Sequence, residues 1–407
     1  VGGSIRPRWG VHRVRTTAPT TTRAWRAIAL LVVALLFVAL LGACARSPAP
    51  VRFHADGSPR TLAEWGVLQS DGTRLRLAGG VLPYDLNTPL FSDYAHKLRT
   101  VWMPAGTAAQ YRADDSFAFP VGTIISKTFY YPRAGGAAAA NAVLKADATP
   151  DERIGDGLDL TRVRMIETRL LVRREGGWAA LAYVWNDAQT EAVLSRAGAS
   201  LPLQLVAQDG GGTDFTYQVP DQNQCAGCHA SNNTTRAIAP IGAKARHLHR
   251  DYAYANGSAP QLQRWQQVGY LTGAPAAAAT PRNADWRDGA RASLDARARA
   301  YLDINCGHCH NARGPADTSG LLLDSSVVST RQLGICKPPV AAGQGTGDHT
   351  FDIVPGQPAQ SILVYRMRSL DPGAMMPELG RDLIHEEGVA LVSEWIGAQN
   401  GRCDSET

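Results

Sequence analysis

The first 43 residues contain no aspartate and no glutamate. The whole chain of 407 residues has only five methionines, none before Met103, and seven cysteines. It shows no repeat with a period of roughly 20–50 residues, which excludes a solenoid or a propeller. Charged residues make up 19% against 44% hydrophobic, which excludes a disordered chain. The missing acids locate the charge. Formal net charge is +5, but Arg6, Arg8, Arg13, Arg15, Arg23 and Arg26 all fall before residue 44. Removing these six from 41 Lys+Arg leaves 35 against 36 Asp+Glu, a balance of −1. The basic character belongs to a leader, so it makes no case for nucleic-acid binding.

That leader has recognisable parts. Arg23 and Arg26 form a positive segment ahead of the uninterrupted apolar run Ala27 to Leu41. The run is too short for a comfortable membrane span and suits a signal peptide. It ends in Leu41-Gly42-Ala43-Cys44, which resembles a bacterial lipobox. The resemblance implies cleavage before Cys44, lipid on its sulfur, and a membrane-anchored protein of the cell envelope, facing the periplasm or the surface. An ordinary signal peptide or an uncleaved anchor is the alternative. The chain begins with Val, so part of this leader is expected to be an over-extended start.

Four of the other cysteines fall in two motifs. Cys225-Ala226-Gly227-Cys228-His229 and Cys306-Gly307-His308-Cys309-His310 are both C-x-x-C-H. Two thiols three positions apart on a helical turn can each add to one vinyl group of the same haem. The following imidazole then meets the iron. Chance would place one such motif in this composition ~0.003 times. Four cysteines can also hold zinc, but the two histidines would then be coincidental. A thioredoxin-like pair needs a βαβ context that is missing here. The expectation is two covalent c-type haems, with His229 and His310 as proximal iron ligands. His308 is expected to be solvated or to face a propionate. Cys336 and Cys403 remain, and in an oxidising compartment they most simply form a disulfide, the alternative being a free thiol.

The distal iron ligands are less evenly specified. Met375 and Met376 lie in Gly373-Ala374-Met375-Met376-Pro377-Glu378-Leu379-Gly380. This stretch resembles the distal loop of class I cytochromes c, and the match favours Met376 over Met375 as ligand of the second haem. Leu294, Ala298, Tyr301 and Leu302 before the motif, and Val389, Leu391, Val392, Trp395 and Ile396 after the loop, have helical spacing. For the first haem, His247 or His249 is a candidate, with His96, Met103, Met165 or an open position as alternatives.

Residues 55–220 read as strands. Phe119 to Tyr131, Met165 to Val172, Trp178 to Trp185 and Phe215 to Val219 are rich in β-branched and aromatic residues, with a turn at Glu175-Gly176-Gly177. The expected fold class is α+β and multidomain. It comprises a leader at 1–43, a linker at 44–54 and a sandwich-like β-rich domain at 55–220. A first haem segment follows at 221–275, then a linker at 276–287 and a class I-like cytochrome c domain at 288–403. Both haem segments are expected to be mainly α-helical. Within 87–99, Asp93, His96, Lys97 and Arg99 either line a substrate site or form a structured loop against the haem segments.

Taken together, several segments resemble a family of bacterial diheme c-type cytochromes often encoded beside a parallel β-helix-repeat protein. They are Asn87 to Arg99, Ile166 to Arg174, Asn223-Gln224, Tyr301 to Asn305, Gly334 to Pro339 and Met375 to Arg381. The resemblance spans about 60–400 and implies haem binding and electron transfer with a redox partner protein. Two alternatives stand beside it: a haem enzyme with an open first iron, or a β-domain that docks the cytochrome to a partner.

Overall fold

In strands β1 (Leu82–Tyr84), β2 (His96–Trp102), β3 (Ile124–Pro132), β4 (Val163–Arg174), β5 (Gly177–Trp185) and β6 (Ala192–Leu194), residues alternate between two packed faces. The six pair in sequence order as one antiparallel meander. The computed structural model describes residues 1–10, 13, 50–135, 141–340 and 343–403. The apolar leader run and Cys44 lie outside the described residues.

One face of the meander buries Leu98, Ile124, Leu170, Val172 and Leu181 against a four-stranded sheet built from 68–77 and 153–159. On the same face, Thr128 and Thr168 bond at 2.8 Å, and Thr100 and Ser126 bond at 2.6 Å, so the buried hydroxyls are satisfied. The opposite face divides. Part of it (Phe129, Tyr131, Ile166, Ala182) packs on the hairpin of β7 (Ala199–Val206) and β8 (Gly212–Val219). Another part (Tyr84, Val101, Ile125) packs on Leu248, Tyr252, Leu262 and Trp265, which follow the first motif. The remainder faces a cavity.

Six α-helices occur among the described residues. They are α1 (Gln222–His229), α2 (Ala245–Leu248), α3 (Gln261–Gln267), α4 (Leu294–Asn305), α5 (Ile362–Arg368) and α6 (Glu386–Gly397). None is long and apolar enough to cross a membrane. Helix α1 starts in a capping box: Asp221 accepts from the backbone N–H groups of Asn223 (2.7 Å) and Gln224 (2.8 Å), and the Gln224 side chain accepts from the Asp221 N–H (2.9 Å). Ser293 caps α4, and Glu386 and Glu387 sit in the first turn of α6, where acids suit the helix dipole. Helices α4, α5 and α6 share one core with Trp286, Leu302, Val364, Val392 and Ile396.

The expectation of two mainly α-helical haem segments is therefore corrected: the described chain is predominantly β-rich. The six helices run from four to twelve residues. Between the motifs stand a hairpin, Asp251–Tyr254 with Gly257–Pro260, and a strand, Leu271–Thr272, that pairs in parallel with Ala109–Gln110. The physical reason is that the meander already supplies an apolar wall. A C-x-x-C-H motif needs one helical turn, not a bundle, when a sheet covers its other side. Frequent glycines and prolines over 311–361 keep that stretch in turns and short 3₁₀ helices. From Pro50 onward the described chain forms one compact unit.

Candidate functional site

Helix α1 carries Cys225, Cys228 and His229, and the turns after α4 carry Cys306, Cys309 and His310. Although 77 residues separate the ends of these elements in the chain (229 to 306), the two motifs touch: Cys309 Sγ lies 3.7 Å from the Gly227 carbonyl oxygen. Packing is tight at both motif glycines, and at Gly307 backbone atoms leave no room for a side chain. A Cβ on Gly227 would come within 3.1 Å of Leu379 Cδ1, and one on Gly307 within 2.8 Å of Asp324 Cα. All four cysteines are free thiols. Burial pushes the Cys306 and Cys309 thiols up to about 12.

Both motifs line one cavity of about 720 Å³, within the size range of cofactor pockets. The two motif histidines are oriented in the same way. His229 Nδ1 bonds the Ala239 carbonyl at 2.8 Å, and His310 Nδ1 bonds the Leu321 carbonyl at 3.2 Å. Each carbonyl holds the ring N–H on Nδ1, which leaves the Nε2 lone pair for the cavity. Burial, with Lys127 nearby, pushes His229 down to about 3, so its ring is neutral.

The wall opposite the motifs is the meander. Arg99 on β2 is the cross-strand partner of Lys127 on β3, and Lys127 is the partner of Arg169 on β4. Like charges directly opposed across strands are unfavourable. Here Arg169 is held by a bidentate bond to Glu167 and Arg99 by Asp85 at 2.6 Å. Lys127 makes no such ion pair. Burial, then the charges of Arg169 and Arg99, push it down to about 7. The cavity wall also holds Lys337, Arg366 and Arg381 against the carboxylates Asp352 and Glu378. Six cations against these two acids, and against Asp85 and Glu167 that pair with Arg99 and Arg169, leave a formal charge of +2, the sign that attracts haem propionates.

The loop predicted to carry a distal ligand forms the cavity's third side. Met376 lines the cavity with Pro377, whereas Met375 is buried away from it. Asp93 positions this loop by accepting from the backbone N–H groups of Asp382 (2.7 Å) and Leu383 (2.8 Å). The 87–99 stretch is a structured connector. Thr88 donates to the Ala284 carbonyl, the Phe91 N–H donates to Asn305, and Lys97 Nζ donates to the Leu90 carbonyl. Only Arg99 of the proposed substrate group reaches the cavity; His96 is taken up by Glu152 and the Ala146 carbonyl.

The structure does not bring the other distal candidates to the motifs. His247 and His249 do not line the cavity. His247 is 1% exposed against Asp303 (3.5 Å), and His249 Nδ1 bonds the Thr280 carbonyl. Met103 and Met165 belong to separate hydrophobic cores. His308, expected to be solvated or to face a propionate, is 7% exposed and lines the cavity. Cys336 and Cys403 form a disulfide with Cα atoms 5.1 Å apart, and Lys337 beside it lines the cavity. The role of His308 and the three-cation row had no signal in the sequence, because strand register and loop packing bring those groups together. Among the described residues, no three His, Cys, Asp or Glu side chains converge as a caged metal ion would require. The donor set fits two thioether-linked haems instead, each needing two thiols and one imidazole. Comparisons with models of protein families, with curated proteins and with solved structures found no match to this chain.

Proposed function

We propose that this chain is a diheme c-type cytochrome that relays electrons to and from a redox partner protein in the cell envelope. The observation that carries the reading is the matched pair of motif histidines. Each is fixed by a backbone carbonyl at Nδ1, each turns Nε2 into the same cavity, and each follows two free thiols. When bound, haem iron supplies a reversible one-electron change at each site.

The chain's own part is binding and tuning. Cys225 and Cys228 would hold one porphyrin and Cys306 and Cys309 the other. His229 and His310 would be the proximal ligands, and Met376 the distal ligand of the second iron, favouring its ferrous form. Arg99, Lys127 and Arg169 offer charge to propionates, and Leu171, Ile125 and Leu323 exclude water. The direct contact of the motifs suits passage of an electron from one site to the other. An anchor at Cys44 would keep the relay at the membrane, as the lipobox resemblance implies.

The test is the mass and colour of the mature full-length protein from a host that attaches c-type haem. Two haems should survive acid acetone, and a Cys225→Ala/Cys228→Ala variant should lose one. Colourless protein, or pigment that extracts completely, would overturn the reading.

A further inference from the structure

We infer that His308, inside the second motif, is the distal ligand of the iron held by His229. The loop that attaches the second haem would thus complete the site of the first. The inference rests on the diheme reading and goes beyond it, because that reading leaves the first iron's sixth position unassigned.

His308 is buried at 7% exposure, yet Nδ1 makes no hydrogen bond among the described residues. The side chain lines the same cavity as His229. The loop that carries His308 meets helix α1, where Cys309 Sγ lies 3.7 Å from the Gly227 carbonyl oxygen. A buried imidazole with an uncommitted ring nitrogen, lining the cavity of a proximal ligand, has the chemistry of a missing iron ligand.

The loop cannot swing His308 away. Gly307 is wedged under the Asp324 backbone. Asn311 Nδ2 donates to the carbonyls of both Gly307 (2.9 Å) and His308 (3.2 Å). The competing groups are committed elsewhere. His385 accepts from the Tyr301 hydroxyl at Nδ1 (2.9 Å), turns Nε2 toward Glu387 (3.8 Å) and stacks on Phe91. Met367 packs in the core of α4, α5 and α6. Met376 belongs to the second haem. Among the described residues, Lys127 is the remaining cavity amine without an ion pair, and it is the rival the experiment must separate.

The experiment uses the full-length, haem-loaded protein. Haem count by pyridine haemochrome comes first, and fewer than two haems would sink the diheme reading itself, and this inference with it. With two haems present, ferric electron paramagnetic resonance and near-infrared magnetic circular dichroism should show one bis-imidazole iron and one imidazole–thioether iron, with no carbon monoxide binding on reduction. In His308→Ala, both haems stay attached and the thioether band persists. One iron per molecule turns high-spin and takes up carbon monoxide, and added imidazole restores the low-spin signal. His308→Met keeps that iron six-coordinate, adds a second thioether band and raises its potential; it carries the test if the alanine variant does not fold. An unchanged spectrum in either variant, carbon monoxide binding to the wild type, or loss of the bis-nitrogen signal in Lys127→Met instead would overturn the assignment.

Discussion

Opening the Cys336–Cys403 bridge is the sharpest test of how the cavity is held shut. The bridged cysteines are 67 residues apart in sequence. A cross-link closing a loop of that size removes denatured-chain entropy equivalent to about 4 kcal/mol at 25 °C. Net stabilities of proteins are roughly 5–15 kcal/mol, so the bridge would account for a large share. The loop it closes contains α5, the Met376 loop and α6, and Cys336 is followed by Lys337, Pro339 and Val340 on the cavity wall. We expect a Cys336→Ala/Cys403→Ala variant of the haem-loaded chain to lose about 4 kcal/mol in urea unfolding followed by far-ultraviolet circular dichroism. The slope with denaturant should stay near wild type, and reduced wild type should match the variant. A loss below about 1 kcal/mol at unchanged slope would refute the argument, because the loop's denatured freedom would then be restricted by something other than the bridge.

Three further outcomes follow from named contacts. Met376→Ala should abolish the near-infrared thioether–iron band and lower the potential of one haem, while Met375→Ala should keep the band; absorption and redox titration read both. Arg169→Met leaves Glu167, fully buried, with the Tyr217 hydroxyl as its remaining side-chain donor, and should cost about 3–5 kcal/mol in thermal or urea unfolding. Burial pushes His247 down to about 4 from an ordinary 6.5. The unfolded chain therefore takes up the proton first as pH falls. The stability tied to the neutral ring is complete above pH 6.5 and drains away down to about pH 4, at a cost of up to roughly 3 kcal/mol. His247→Gln should flatten that part of the stability–pH curve, and an unchanged slope between pH 6.5 and 4 would contradict it.

The parts legible in the sequence were those carried by short-range chemistry. The spacing of Cys225, Cys228 and His229, and of their counterparts at 306, 309 and 310, groups two thiols and one imidazole before any fold is known, and both sets line one cavity. Strand-forming runs at Met165 to Val172 and Trp178 to Trp185 lie within β4 and β5, because β-branched and aromatic residues suit a pleated, buried surface. The resemblance to class I cytochromes implies mainly helical motif segments, whereas the apolar wall beside these motifs comes from a sheet. The row Arg99, Lys127 and Arg169 is spread over some seventy residues, and only strand register aligns it. His308 reads as an incidental loop residue until the burial of its ring, with Nδ1 unbonded among the described residues, is seen.

The cavity's construction also orders the protein's biogenesis. Its walls come from the meander, from both motifs and from the Met376 loop, so a chain that docks these parts early would seal its thiols from the attachment machinery. Thiols near pH-inert values, shielded by their own fold, are poor nucleophiles. On the diheme reading proposed above, ligation would come while the polypeptide is still open, and the prosthetic groups would then act as a template on which sheet and loops close. Mutants that fold too readily without pigment would accumulate as a dead-end apoprotein.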